Sequence, residues 1–409
     1  MSRLGFGAFL APHHPIGEHP MLQLQRDLDL VERLDRLGFD EFWCGEHHST
    51  GWETIASPEM FLAAASQRSH RIRLGTGVIS LPYHHPFNVA QRIVQLDHMT
   101  GGRVIFGSGP GALPSDAWTL GIDPMVQRDR QDEALGVIKR LLAGEERFSH
   151  ECEWFTLRDA ALQLLPLQEE MPLAVASMIS PSGMTLAGKH GAGVLSIGSM
   201  STAGLQALPT QWSFAEDSAA KHGNSVDRSN WRIVMSWHIA ETREKAREQA
   251  KHGLYRWHNE YTVDTLQRPG AEHFESPDAA VDQMTDAAGA AVIGTPDDLV
   301  KALRDMIDLT GGFGTVIGFI HDWANPADTM NSWDMVARYV VPEINGYLTK
   351  YRESQRHVIE NREVFERAGQ AVLSKIMEND RAAAAMQEEA TAGAAMQSHN
   401  APDLRPHRR

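Results

Sequence analysis

The amino-acid sequence predicts an α/β fold, a (β/α)8 TIM barrel, because short apolar runs alternate eight times with helical patterns. Each short run is almost unbroken in its apolar character, which is typical of strands in a parallel sheet that is buried on both faces. The chain has 409 residues, and single barrels with insertions reach that length. An open, doubly wound sheet is the alternative, since periodicity alone does not distinguish an open sheet from a closed one.

The predicted strands are, in chain order, Gly5–Leu10, Glu41–Cys44, Ile72–Leu81, Val104–Gly107, Leu173–Ser177, Gly193–Ile197, Arg232–Ile239 and Thr315–Ile320. The helices between them are Met21–Leu37, Ser57–Ser69, Asn88–Met99, Arg128–Ala143, Pro181–His190, Leu205–His222, Thr242–Gly253 and a helix that opens at Thr295. Start and stop signals support these bounds. Gly38 ends the first helix, Pro58 lies just inside the second, and Thr295 caps the last.

Two long segments depart from the alternation. Glu145–Met171 shows neither the apolar run of a strand nor the spacing of a helix. Tyr255–Ala291 is a long insertion before the eighth strand, and an irregular stretch of this length predicts a lid or a disordered loop.

The C-terminal part of the chain predicts separate structure beyond the barrel. The barrel is expected over residues 1–345, a helical extension over 346–377 and a disordered tail over 378–409. The segment Pro342–Ile376 is amphipathic enough for a pair of helices, which are either an oligomer contact or a cap on the barrel.

Composition and charge favour a cytoplasmic protein that acts on small molecules. The chain has 38 Lys and Arg against 53 Asp and Glu, a net charge of −15, which argues against nucleic-acid and membrane partners. No run approaches the roughly 18 apolar residues of a membrane span, and the N-terminus lacks the pattern of a signal peptide. Cys44 and Cys152 are too few for a disulfide framework, as expected in a reducing cytoplasm.

Histidines and acids follow the predicted strands, at the end where the active sites of such barrels form. The pairs are His13-His14 after the first strand, His47-His48 with Glu46 after the second, and His84-His85 after the third. Neighbouring residues of an extended segment point to opposite sides, and neither His-x-His nor His-Glu-x-x-His occurs. The sequence therefore predicts no metal at this site.

Two further strand ends carry binding signals. Gly107–Ala112 fits G-x-G-x-x-A, but Pro110 interrupts the expected helix, and a glycine-rich strand end that admits a flat ring fits equally well. Ser180 and Pro181 suit the N-cap and the first position of a helix, whose free amides would favour a phosphate. An ordinary capped helix is the alternative.

Several motifs in their order along the chain carry a family resemblance. They are Glu46–His48, Arg73–Val78, Leu81–Pro86, Gly101–Gly107, Leu186–Gly191 and Ile293–Leu299. Over residues 3–345 the chain resembles the bacterial-luciferase-like, FMN-dependent monooxygenases, and most of all the limonene monooxygenase branch. That family has the (β/α)8 barrel fold.

The resemblance implies roles for individual residues. His47 matches the family's catalytic histidine, and Glu46 beside it either orients it or caps the loop. The strand around Gly77 and Val78 matches the place of a non-prolyl cis peptide beneath the flavin ring. The implied cofactor-binding residues are Gly77, Val78, Gly109, Ser180, Ser182 and Gly183. The chain departs from the family at Pro110, where many members carry an arginine that meets the phosphate.

The implied reaction uses reduced FMN (FMNH2) as a co-substrate with O2. A flavin C4a-hydroperoxide inserts one oxygen atom into a small apolar, terpene-like substrate, and a separate NAD(P)H:flavin reductase supplies the reduced FMN. A homodimer or higher homo-oligomer is expected. Residues near the strand ends that could line a pocket are Phe9, Trp43, Phe106, Met178 and Trp237. Epoxidation, hydroxylation and Baeyer–Villiger insertion are not distinguished.

Two other functions stay open at this point. A related branch of the same fold uses the deazaflavin F420 for hydride transfer without oxygen. A non-catalytic flavin-binding protein is the second alternative, against which His47 counts.

Overall fold

Eight parallel strands close into a barrel, and helices connect each strand to the next. The structure is a computed structural model that describes residues 3–198, 202–286, 290–385 and 387. The strands are β1 Gly5–Leu10, β2 Glu41–Cys44, β3 Arg73–Thr76, β4 Ile79–Ser80, β5 Val104–Gly109, β6 Phe148–Glu151, β7 Thr156–Ala160, β8 Leu173–Ser177, β9 Gly193–Ser196, β10 Trp231–Ile239, β11 Ala291–Gly294 and β12 Thr315–Phe319. The helices are α1 Pro20–Leu37, α2 Pro58–Ser66, α3 Pro86–Thr100, α4 Pro114–Thr119, α5 Gln127–Leu142, α6 Ser182–His190, α7 Thr202–His222, α8 Arg243–Arg256, α9 Pro277–Thr285, α10 Pro296–Thr310, α11 Pro326–Met335, α12 Val341–Ile344, α13 Thr349–Glu360 and α14 Arg362–Met377.

The order of strands around the barrel is β1, β2, β3, β5, β8, β9, β10 and β12, and β12 pairs back onto β1. In β1, Gly5 pairs with Thr315 on one side and Gly7 pairs with Glu41 on the other. The closed (β/α)8 barrel is therefore confirmed, and the open doubly wound sheet is wrong.

The predicted start and stop signals act as expected at α1 and α10. Gly38 adopts a left-handed conformation with φ of 85°, and its N–H closes the last turn of α1 on Leu34 and Asp35. Thr295 caps α10 in a reciprocal arrangement in which the Asp298 carboxylate accepts the backbone N–H of Thr295 at 2.9 Å.

Some short strands have no counterpart in the predicted set. Residues 145–171 contain an antiparallel hairpin of β6 and β7, and β11 adds to the outer side of β10. The hairpin escaped prediction because half-exposed and exposed residues alternate in β6, so it lacks the apolar run of a barrel strand.

The insertion before the eighth strand is largely helical, so the expectation of an irregular stretch is wrong. Helix α8 continues without a break into a π-helix over Trp257–Thr265, and α9 follows after a loop. A π-helix has i→i+5 hydrogen bonds and places its buried residues off the 3.6-residue period, which hides it from a search for α-helical spacing.

The barrel interior is filled in layers. At the amino end of the strands, the Arg232 guanidinium forms a buried two-point ion pair with Glu41, at 2.7 and 2.8 Å, and Trp43 donates its indole N–H to the same carboxylate. Above this pair lies an apolar cluster: Phe9, Trp43, Ile105, Ala174, Leu195, Val234, Ile317 and Phe319. A second, larger core lies between the strands and the surrounding helices.

The chain divides into two compact units, Met1–Asn345 and Gly346–Arg409. In the second unit, α13 and α14 carry no buried residue. Of the tail predicted to be disordered over 378–409, residues 386 and 388–409 lie outside the described residues. Among the helices that the structure describes, none has the length and apolar character that crossing a membrane requires.

Candidate active site

His47 lies between two buried carboxylates at the carboxyl end of the barrel. Its Nδ1 is 3.1 Å from Asp116 Oδ2, and its Nε2 is 3.3 Å from Glu53 Oε1. The imidazole keeps 16% of its side-chain surface exposed, whereas the two carboxylates keep 1% and 3%. The imidazole is therefore the part of this group that a bound molecule reaches.

Asp116 holds the start of the loop after β2. One carboxylate oxygen accepts the backbone N–H of His48 at 3.0 Å and the hydroxyl of Ser49, while the other meets His47. Burial acts to raise the pKa of Asp116, but the bonds from His47 and Ser49 outweigh it, so the pKa is lowered. Asp116 is therefore an anion at neutral pH.

The pKa of Glu53 is shifted in the opposite direction to that of Asp116. Burial raises its pKa, and the opposing effects of His47 and of a hydrogen bond with Tyr261 are smaller. Tyr261 lies in the π-helix, 4% exposed, and its ring stands 5.5 Å from Trp52 and 5.3 Å from His13. The inserted segment thus packs directly onto the loops that follow β1 and β2.

Glu46 holds the loop rather than the His47 imidazole. One oxygen accepts from His48 Nε2 at 2.8 Å and from His84 Nε2 at 2.7 Å, and the other accepts the backbone N–H of Ser80 at 2.9 Å. Burial would raise the pKa of Glu46, but the bonds from the two histidines outweigh it and lower the pKa. The side chain is 1% exposed, and the alternative in which Glu46 orients His47 is corrected: Asp116 and Glu53 occupy that role.

The Gly77–Val78 peptide bond is cis, as the resemblance implied, and it follows the end of β3. The Gly77 N–H donates to the carbonyl of Cys44 at 2.6 Å, which joins this bond to the end of β2. Val78 is half-buried and lies against Gly109, where an added Cβ would stand 2.4 Å from a Val78 methyl carbon. The same Cβ would stand 3.7 Å from that of Ala176, so β5 and β8 present small residues where they face Val78.

Helix α6 begins one residue later than expected. Pro181 occupies the N-cap position and Ser182 starts the helix, so the expectation that Ser180 is the N-cap and Pro181 the first residue is wrong. Proline has no side-chain acceptor, and the hydroxyls of Ser180 and Ser182 bond to each other at 2.8 Å instead. Both serines are exposed and Gly183 is half-buried against β8, so hydroxyls and first-turn amides face outward together.

Three further histidines are buried at this end of the barrel. Burial lowers the pKa of His13 to about 4 and that of His321 to about 3, so both are neutral. For His14, burial acts downward, but the carboxylates of Asp27 and Asp322 outweigh it and raise the pKa to about 9. These side chains are core members with structural roles.

The five residues expected to line a pocket lie in three different places: inside the barrel, at the end of β8 and in the outer core. Phe9 and Trp43 lie in the apolar cluster inside the barrel, and Met178 is 48% exposed at the end of β8. Phe106 and Trp237 point outward into the core between strands and helices, so their assignment to a pocket inside the barrel is wrong.

Three residues of the site escaped the sequence reasoning: Asp116, Glu53 and Tyr261. Asp116 lies 69 residues beyond His47, and no local pattern connects them. A signal existed only for Asp116, which follows the glycine-rich strand end at the start of a short helix.

Comparison with known proteins identifies relatives over most of the chain. Residues 4–311 match the luciferase-like monooxygenase family. The chain is 48% identical to 4-hydroxyprotoasukamycin monooxygenase of Streptomyces nodosus subsp. asukaensis, over 85% of this chain and 94% of that protein. It is 47% identical to limonene 1,2-monooxygenase of Rhodococcus erythropolis, over 85% of this chain and 88% of that protein.

Solved structures share the fold. A monooxygenase from Streptomyces bottropensis matches with a TM-score of 0.74 at 24% identity, over 83% of this chain and 99% of that one. The oxygenating constituent of 3,6-diketocamphane monooxygenase from Pseudomonas putida, in complex with FMN, matches with a TM-score of 0.71 at 24% identity. The match covers 83% of this chain and 98% of that one. An F420-dependent secondary alcohol dehydrogenase matches with a TM-score of 0.60 at 20% identity, over 82% of this chain and 97% of that one. Solved structures with this barrel fold therefore include one in complex with FMN and one that depends on F420.

Proposed function

Because this chain belongs to the luciferase-like monooxygenase family, we propose that it is a two-component, FMN-dependent monooxygenase. In this proposal it takes reduced FMN from a separate NAD(P)H:flavin reductase and places one atom of O2 into a small apolar, terpene-like substrate. The observation that carries the proposal is the partly exposed His47 held between two buried carboxylates at the open end of the barrel.

The residues at the barrel mouth fit a flat ring with a phosphate tail. Beside the Gly77–Val78 bond, β5 and β8 carry only the small residues Gly109 and Ala176, and the Val78 side chain fills the space at Gly109. The hydroxyls of Ser180 and Ser182 and the first amides of α6 lie beyond the end of β8, where a helix N-terminus favours an anion. Reduced FMN would supply the electrons that activate O2.

The proposed task of His47 is to hold and move a proton. Asp116 stabilises the protonated imidazole through Nδ1, and Glu53 faces Nε2 with a raised pKa, so Glu53 is suited to exchange a proton with that atom. His47 is then the catalytic residue. Asp116, Glu53 and Glu46 are positioning residues, because none of them has the exposure to touch a substrate.

Two features support an apolar substrate and a covered site. Phe9 and Phe319 stack at 5.9 Å between ring centres inside the barrel, opposite the small residues of β5 and β8. The π-helix packs over the loops after β1 and β2 through Tyr261 and Trp257, and we assign it the role of a lid that limits the access of water. We also propose a homo-oligomeric, cytoplasmic protein.

Anaerobic binding tests the cofactor directly. Reduced FMN and reduced F420 are each titrated into the protein by ultrafiltration. The proposal predicts stoichiometric binding of reduced FMN and at least tenfold weaker binding of reduced F420. Tighter binding of reduced F420 would replace the proposal with the hydride-transfer alternative. Binding of reduced FMN without oxygenation of any substrate in an apolar panel would favour the non-catalytic alternative.

A further inference from the structure

A second group of reactive side chains lies outside the barrel, between helix α5 and the β6–β7 hairpin. Glu133, His150 and Cys152 each offer a donor atom, and these atoms lie within 4.8 Å of one another. Glu133 Oε1 is 3.2 Å from His150 Nε2. No other group of three or more His, Cys, Asp and Glu in the described part of the chain has donor atoms this close together.

The β6–β7 hairpin brings His150 and Cys152 to one face. Side chains alternate along a strand, so His150 and Cys152 point to the same side, and Glu151 between them points away and is exposed. Glu133 reaches this face from the first half of α5, 17 residues before His150. His150 on β6 and Cys152, the residue directly after β6, thus supply two donors, and Glu133 on α5 supplies the third.

Neighbouring side chains fix the orientation of the donors. The Trp154 indole N–H donates to Glu133 Oε2 at 3.1 Å, which leaves Oε1 directed at the cluster. The His150 ring is stacked on Phe155 at 5.2 Å with an angle of 21° between planes, and the Arg130 guanidinium covers Trp154 at 5.3 Å. Outer contacts of this kind commonly orient the carboxylates and imidazoles that bind metals.

We propose that Glu133, His150 and Cys152 form a Zn²⁺ site that fastens the β6–β7 hairpin to helix α5. A thiolate, an imidazole and a carboxylate are the three donor types of protein zinc, and the thiolate disfavours Mg²⁺ and Ca²⁺. Zinc–ligand distances of about 2.0–2.3 Å require only small side-chain rotations from a cluster this compact. Water takes the fourth position, which the exposure of His150 at 28% and Glu133 at 34% permits.

Binding balances as an exchange of protons for the cation. The Cys152 thiol loses its proton to solvent as the sulfur–zinc bond forms, and zinc takes the place of the N–H that His150 Nε2 directs at Glu133. The imidazole then carries its single proton on Nδ1. No electron is transferred. The site is independent of the proposed monooxygenase activity, and its failure would leave that activity untouched.

The test uses the full chain without an affinity tag, stripped of metal by a chelator. Co²⁺ and Zn²⁺ are titrated separately into the native protein, Cys152→Ser, Glu133→Gln and Glu151→Gln, with circular dichroism confirming that each variant is folded. Glu151→Gln is the matched control, since it removes a carboxylate from the same strand on the opposite face. Thermal unfolding with and without Zn²⁺ supplies a second readout.

The proposal predicts one equivalent of Co²⁺ with a near-ultraviolet sulfur-to-cobalt charge-transfer band, displaced by Zn²⁺. The band disappears in Cys152→Ser, affinity falls at least tenfold in Glu133→Gln, and Glu151→Gln behaves like the native protein. Zn²⁺ raises the unfolding temperature of the native protein and of Glu151→Gln only. Absence of the charge-transfer band in the native protein, or metal binding that is equal in native protein and Cys152→Ser, would overturn the proposal.

Discussion

At the scale of single residues, the site depends on how one imidazole is held. His47 has a carboxylate at each nitrogen. Burial acts to raise the pKa of both carboxylates, but hydrogen bonds outweigh it at Asp116, so the pKa of Asp116 is lowered and that of Glu53 is raised. In the proposed function, Asp116 is the permanent anion beside Nδ1, and Glu53 is the group that exchanges a proton at Nε2. The division of labour follows from hydrogen bonds, since Asp116 accepts from His47, Ser49 and a backbone amide.

The first prediction concerns His47 itself. In His47→Ala we expect unchanged binding of reduced FMN but a fall in product of about 100-fold, because general acid–base catalysis contributes at least that much. Hydrogen peroxide would be released instead, and the measurement is the ratio of product to peroxide per reduced FMN consumed. His98→Ala, an exposed residue of α3, is the control. An unchanged product yield would remove His47 from the reaction.

The second prediction concerns Asp116 as a positioning residue. Asp116→Asn keeps the shape but removes the charge that stabilises protonated His47, so the midpoint of the pH–rate profile should move to lower pH. The rate constant kcat should fall while KM for the substrate stays the same. Asp123→Asn, an exposed cap in the same loop, should leave the profile in place. A lower rate at every pH with no shift of the midpoint would mean that Asp116 only supports the loop.

At the scale of elements, the strand ends decide where each group stands. β5 ends in Gly109, Gly77 follows the end of β3, β8 leads toward α6, and the loop after β2 carries His47. These four neighbouring strand ends lie at one opening. Glu46 connects two of these ends, because it accepts from His48 in one loop and from Ser80 in the next. The π-helix reaches the same opening through Tyr261.

The start of α6 carries the third prediction. Ser180→Ala combined with Ser182→Ala removes two hydroxyls that would donate to a phosphate, so the dissociation constant of reduced FMN should rise at least about tenfold. Anaerobic titration measures it, and Ser213→Ala on α7 is the matched control. An unaltered dissociation constant would place the phosphate elsewhere.

These elements also show what the sequence could and could not predict. Apolar runs predicted the eight barrel strands, because burial on both faces leaves a local pattern. The family resemblance implies His47 and the cis Gly77–Val78 bond, and a local motif indicates the glycine-rich end of β5. Asp116, Glu53 and Tyr261 were not, because their contacts arise only when the barrel closes. The exact start of α6 was missed because a serine followed by proline suits an N-cap, yet the proline itself takes that position.

At the scale of the whole molecule, buried histidines link stability to pH. His13 and His321 are buried neutral, with pKa values lowered by burial to about 4 and about 3, while the carboxylates around His14 raise its pKa to about 9. Below the ordinary histidine pKa of about 6.5, His13 and His321 bind protons in the unfolded chain but stay neutral in the folded protein. Their contribution to the free energy of unfolding therefore decreases as the pH falls toward 4. The contribution of His14 is complete below about 6.5 and is lost as pH rises through 9.

The fourth prediction is a maximum of folding stability near pH 6.5. Urea unfolding at pH 5, 6.5 and 8.5 measures it, and the free energy of unfolding should decline on both sides. His14→Gln should flatten the alkaline side and leave the acid side unchanged. A native protein whose stability rises between pH 6.5 and 8.5 would contradict the assignment of His14 as the charged member.

We propose that this chain transfers one oxygen atom from O2 to an organic substrate with electrons from reduced FMN. The most direct test supplies the protein with reduced FMN and limonene, a small apolar terpene, under ¹⁸O2, and measures the product by mass spectrometry. We expect one ¹⁸O atom in each product molecule, with the other in water, and loss of that product in His47→Ala. Product that contains oxygen from water alone, or turnover that requires F420 and proceeds without O2, would contradict it.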